Sequence, residues 1–81
     1  MKTLLIASTP LELKKISKWF DKETATVTVP KINSLNMDFE WDIIYFYKVA
    51  PDVRRHLTKT LKSDVYGTIV TNRNDVPIVI V

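Results

Sequence analysis

Basic side chains are concentrated on two predicted helices. No acidic residue lies between Leu13 and Phe20 or between Val53 and Ser63, although both stretches carry several lysines or arginines. Lys and Arg are the side chains that contact the phosphates of nucleic acids, and an exposed Trp beside them would stack on a base. The candidate nucleic-acid-binding residues are Lys14, Lys15, Lys18, Trp19, Arg54, Arg55, Lys59 and Lys62.

The same residues also fit a simpler role. Solvated helix faces are commonly rich in lysine, and Trp19 would then belong to the hydrophobic core. The net charge of +3 and the sequence pI of about 9.3 permit an acidic partner without requiring one.

The last six residues, VPIVIV, are apolar and mostly β-branched. As an outer strand this segment would invite pairing with a strand of another protein or of a second copy, and Pro77 would remove one donor from its edge. As a central strand it would simply be buried. The candidate protein-interface residues are Val76, Ile78 and Ile80.

Three carboxylates alternate along one predicted strand, at Asp38, Glu40 and Asp42. Such a row suits Mg²⁺ or Mn²⁺, a basic partner, or simply solvent. His56 is the only histidine, and no Ser or Cys with an acid accompanies it to form a nucleophilic site. We therefore predict no enzymatic activity, no metal site and no cofactor, and we rank a metal-dependent nuclease last.

A run of aromatic residues, WDIIYFYK at positions 41–48, predicts the strongest strand of the chain. RNA-recognition motif domains carry stacking aromatics on a comparable strand, but this segment lacks the glycine spacing of their motif. If one sheet face were open, Phe46 would be the aromatic displayed there.

Composition limits the class of protein. The 81 residues predict a single domain over 1–81 with 46% hydrophobic residues and no cysteine, which excludes a disulfide scaffold and a Cys-ligated zinc site. The single glycine, Gly67, excludes a Gly-rich phosphate loop. The apolar runs are too short for a membrane span or a signal peptide, so we expect a cytoplasmic protein without membrane contact.

Capping signals and periodicity predict the order of the elements. Thr9, Pro10 and Glu12 form a helix start with a capping box, and Pro51 opens a second helix. The predicted elements are strand 2–8, helix 10–22, strand 24–32, strand 39–49, helix 51–63, strand 66–71 and strand 76–81.

This order predicts an α+β fold, namely a ferredoxin-like β-α-β-β-α-β sandwich with an added C-terminal hairpin strand and two helices on one sheet face. The alternative is a small, mostly parallel α/β sheet. The short link between the strands at 24–32 and 39–49 favours the first, because it leaves little room for a helical crossover.

The opening MKTLLIASTPLELKKISKWF is similar to the start of nucleoside phosphorylase and hydrolase-type enzymes, in which an apolar strand leads into a Thr-Pro-Leu-Glu helix start. The resemblance covers about the first quarter of the chain. Those enzymes are several times longer and have Gly-rich segments that are absent here, so the resemblance implies no functional residue and no activity.

These patterns predict a small, non-enzymatic protein that binds RNA or another polyanion through one basic surface formed by both helices. The alternative is a protein-binding adaptor or inhibitor that uses the C-terminal strand edge, with a second protein or a second copy as partner, or the acidic strand face.

Overall fold

The computed structural model describes all 81 residues. Its elements follow one another as β1 (Thr3–Ala7), α1 (Pro10–Ser17), β2 (Ala25–Thr28), a 3₁₀ helix (Val29–Ser34), β3 (Glu40–Tyr47), α2 (Pro51–Thr60), β4 (Lys62–Thr71) and β5 (Pro77–Ile80). No helix has the length and the apolar composition needed to cross a lipid bilayer.

The strands form one five-stranded mixed sheet in the order β2-β1-β3-β4-β5. The first four of these run parallel, with Ala7 level with both Thr28 and Tyr47. β5 is antiparallel to β4 and forms an edge of the sheet.

The two α-helices cover opposite faces of this sheet. Leu57 of α2 belongs to a hydrophobic cluster with Leu4 and Ile6, whereas Ile16 of α1 belongs to a second cluster with Leu5. Alternate residues of a strand point to opposite faces, so consecutive residues of β1 enter different clusters. All four residues from Leu4 to Ala7 are 0% exposed, which explains the nearly continuous apolar run of this strand.

The predicted ferredoxin-like order is not confirmed. The observed order and the helices on opposite faces match the alternative, a small, mostly parallel sheet. The segment between β2 and β3 is long enough to cross over β1, because β2 ends at Thr28 and β3 begins at Glu40. The 3₁₀ helix lies in this crossover, and its Ile32 packs on the α2-side cluster. Pro30 ends the strand pairing that the Thr-Val alternation had predicted to continue to Ile32.

The start of α1 is confirmed and its end is earlier than predicted. The Glu12 backbone N–H donates to Thr9 Oγ1 at 3.2 Å, and Pro10 occupies the first turn. The helix ends at Ser17 instead of near Lys22. Beyond it, Asp21 Oδ1 accepts from the backbone N–H groups of Glu23 and Thr24, each at 3.1 Å. Such a side-chain turn competes with helix continuation.

Candidate functional site

The outer strand β5 presents the largest group of exposed apolar side chains. Ile78, Val79 and Ile80 are 48%, 43% and 56% exposed, and Val70, the β4 neighbour of Ile78, is 41% exposed. No helix follows β4 to cover this end of the sheet, because a tight hairpin leads directly into β5. β5 therefore takes the outer position, one of the two that the sequence left open, and Ile78, Ile80 and the preceding Val76, at 37% exposure, are accessible there. That these residues form a protein interface stays a prediction.

The hairpin between β4 and β5 determines which backbone groups of β5 remain free. The Asp75 N–H donates to the Asn72 carbonyl at 3.0 Å, and the Asn72 N–H donates to the Val76 carbonyl at 3.1 Å. Asp75 has φ 60°, so the loop is a turn followed by a left-handed residue, an arrangement in which glycine is usual. The Asn72 side chain also accepts from the Val76 N–H at 3.1 Å.

Antiparallel strands alternate between pairs that exchange hydrogen bonds and pairs that do not. Because Asn72 and Val76 form a bonded pair, the Val70–Ile78 and Thr68–Ile80 pairs are bonded as well. The main-chain groups of Pro77 and Val79 therefore point away from β4, toward the open side of the sheet. The missing N–H of Pro77 lies on this open side, where an edge strand tolerates proline. Sequence reasoning did not single out Val79, which carries both a free donor and a free acceptor.

The basic residues form two separate surfaces. The α1 surface consists of exposed Lys14 and Lys15 on α1 and of Lys18 directly after it. Arg55 and Lys59 are exposed on α2, which lies across the sheet. The prediction of one shared two-helix surface is wrong, because it required both helices on the same face.

The α1 surface also carries the exposed indole of Trp19, which is 49% exposed. Lys18 Nζ lies 5.9 Å from the centre of that ring. Lys62 is exposed as the first residue of β4, and on the α2 face Arg54 is half-buried with its Nη1 3.4 Å from Thr68 Oγ1.

The aromatic residues of β3 form no stacking platform. Phe46 is 1% exposed and lies in the α2-side cluster, and Tyr47 is 4% exposed in the α1-side cluster. Because both faces of the sheet are covered, the open face that would have displayed Phe46 does not exist.

The acidic row does not converge on a cation site. No group of three or more His, Cys, Asp or Glu side chains is arranged to hold a metal ion. Asp42 Oδ2 instead accepts from the Lys2 backbone N–H at 2.7 Å, and Asp38 lies 3.9 Å from Lys62 Nζ. His56 is exposed, and its side chain makes no hydrogen bond. A polar groove of about 490 Å³ beside Lys2, Trp41 and Lys62 mixes both signs of charge.

At the crevice where parallel sheets usually bind ligands, two side chains of the chain itself form an ion pair. This crevice lies at the carboxyl ends of β1 and β3, where the helices change face. Lys48 has φ 54° at this point, and its Nζ lies 3.5 Å from Glu12 Oε2. Thr9 caps the helix that begins there. The Lys48–Glu12 pair could not be predicted from the sequence, because the two residues approach only after β1 and β3 align.

Comparison with family models, curated proteins and solved structures finds no match to this chain.

Proposed function

We propose that this protein is a protein-binding module that takes up an extended segment of its partner at the outer edge of β5. The observation that carries the proposal is the exposure of Ile78, Val79 and Ile80, which are 48%, 43% and 56% exposed although they belong to a regular strand. Partner strands that add to a sheet edge gain affinity from main-chain hydrogen bonds and specificity from alternate side chains.

The edge lacks most of the features that normally prevent such pairing. Natural sheets protect their edges with charged side chains, bulges or covering elements. The segment from Val76 to Val81 has no charged residue, and no other element covers β5. Pro77 removes a single donor at one end and leaves the Val79 N–H and C=O free.

A partner strand would also bury apolar surface on both sides of the sheet. Ile78 and Ile80 lie on the α2 side, whereas Val79 lies on the α1 side. Fully burying a side chain of this size contributes about 1.5–3 kcal/mol, and each net hydrogen bond contributes about 0.5–1.5 kcal/mol. Association costs offset much of this gain, so we expect binding in the micromolar to millimolar range.

The test is a titration of ¹⁵N-labelled protein with an acetylated and amidated peptide of sequence KTVTVTVK, followed by amide chemical shifts. We expect saturable shifts centred on Val79 that change little with salt. Val79→Pro removes the free donor and should abolish the shifts, whereas the control Val79→Thr keeps the donor and should retain them. Absence of saturable shifts at millimolar peptide would refute the proposal.

A second candidate function is binding of RNA or another polyanion on the α1 surface. The observation that favours it is the exposed Trp19 ring with Lys18 Nζ 5.9 Å from its centre, next to exposed Lys14 and Lys15. Bases stack on exposed aromatic rings while lysines neutralise the adjacent phosphates. This candidate uses only one of the two basic surfaces.

A further inference from the structure

We infer that the strand taken up at β5 is β5 of a second copy of this chain, so that two molecules join antiparallel into one continuous sheet. This inference deepens the proposed function and depends on it. Three observations support it: the outward direction of the free backbone groups of β5, the apolar side chains that face each other when these groups pair, and the absence of charge along the edge.

One pairing register uses every free donor of the edge. The alternation that directs Val79 outward does the same for Pro77 and Val81. A two-fold axis through Val79 places the Val79 of each copy opposite that of the other, which makes two hydrogen bonds. The Val81 N–H of each copy then donates to the Pro77 carbonyl of the other, which makes two more. An axis through Pro77 would place two residues without N–H groups opposite each other and lose the central bonds.

The same register aligns the apolar side chains. Ile78 of each copy lies opposite Ile80 of the other, in a pair without hydrogen bonds where side chains approach most closely. Val70, next to Ile78 in its own sheet, extends this apolar row. Two equivalent rows result, and each runs from Val70 and Ile78 of one molecule to Ile80 and then Thr68 of the other.

Charge favours a second copy over a basic or acidic partner. Each molecule carries a net charge of +3, but none of it lies between Val76 and Val81. Self-pairing of this segment therefore brings no like charges face to face, whereas a charged partner strand would find no counter-charge. The contact is isologous, as closed homodimers require.

Sedimentation equilibrium of the full chain between about 10 µM and about 1 mM covers the affinities expected for so small an interface. We expect a reversible monomer–dimer equilibrium that is insensitive to salt. Val79→Pro should shift the protein to monomer by removing two donors. Ile80→Lys should also shift the protein to monomer, because it brings a lysine into the apolar row. Ile80 is 56% exposed, so this variant should still fold. Leu11→Lys is the matched control, since Leu11 is 63% exposed on α1.

A wild-type protein that stays monomeric to about 1 mM would overturn the inference. So would a dimer that persists in folded Val79→Pro and Ile80→Lys. The KTVTVTVK titration distinguishes failure of self-pairing from failure of strand binding at β5 altogether. If the protein is monomeric but binds the peptide at Val79, the dimer is refuted and the proposed function stands with another partner. If it is monomeric and does not bind the peptide, both the dimer and the proposed function are refuted.

Discussion

Leu4 and Leu5 are neighbours in the sequence, are both 0% exposed, and lie in different hydrophobic clusters on opposite faces of the sheet. Leu4 packs in the cluster that includes Leu57 of α2, and Leu5 packs in the cluster that includes Ile16 of α1. Because these neighbouring residues pack against different helices, the two basic helices lie on opposite faces of the sheet and both faces are covered. This arrangement leaves the β5 edge as the main exposed apolar surface.

Truncation of either leucine should therefore destabilise the protein to a similar degree. Leu4→Ala and Leu5→Ala each remove a fully buried side chain, so we expect each to lower the free energy of unfolding by about 2–5 kcal/mol. Urea unfolding monitored by circular dichroism measures this free energy. A variant that is already unfolded without urea also agrees with the prediction. Leu11→Ala, at a 63% exposed position, is the control and should change little. If one of the two core variants cost less than about 1 kcal/mol, a sheet covered on both faces would be contradicted.

The hairpin residue Asp75 should respond to substitution according to its backbone conformation. With φ 60°, it occupies a position that glycine adopts without strain. We expect Asp75→Gly to raise the free energy of unfolding by about 0.5–1 kcal/mol, and Asp75→Ala to lower it by a similar amount, because alanine tolerates this region less well than aspartate. Thermal unfolding of the three proteins distinguishes them. Equal melting temperatures for the two variants would argue against the left-handed conformation.

Charge reversal on the two helices should have unequal effects on RNA binding. If the α1 surface binds RNA, Lys15→Glu with Lys18→Glu should abolish it, whereas Arg55→Glu with Lys59→Glu, which changes the same amount of charge across the sheet, should weaken it only slightly. Wild-type affinity for a labelled RNA should fall steeply between about 50 mM and about 200 mM salt. Equal losses in both double variants would indicate non-specific attraction, and no binding at low salt would remove this candidate.

The local parts of the fold could be predicted because their signals lie within a few residues. Thr9, Pro10 and Glu12 predicted the start of α1, and Pro51 predicted the start of α2. The strand order could not be predicted in the same way. It depends on whether the segment from Val29 to Phe39 crosses over β1, and nothing in its own residues distinguishes a crossover from a loop.

The surfaces were predictable in composition and not in arrangement. Lys18 and Trp19 are exposed, as the prediction of a nucleic-acid-binding surface required and the assignment of Trp19 to the core did not. Whether they join the basic residues of α2 depended on the sheet face that each helix covers, which is a long-range property. The run from Val76 to Val81 is as apolar as β1, yet β1 is buried and β5 is exposed. Only the position of each strand in the sheet separates these cases.

Amide hydrogen exchange of β5 in dilute monomeric protein is the sharpest test of whether the β5 edge is free to bind a partner strand. Ile78 and Ile80 bond to β4, whereas the Val79 N–H points to the open edge. We predict slow exchange at Ile78 and Ile80 and fast exchange at Val79, and the Val79 exchange should become slow when a partner strand is bound. Slow exchange at Val79 in the dilute protein, or fast exchange at all three residues, would contradict an available β5 edge.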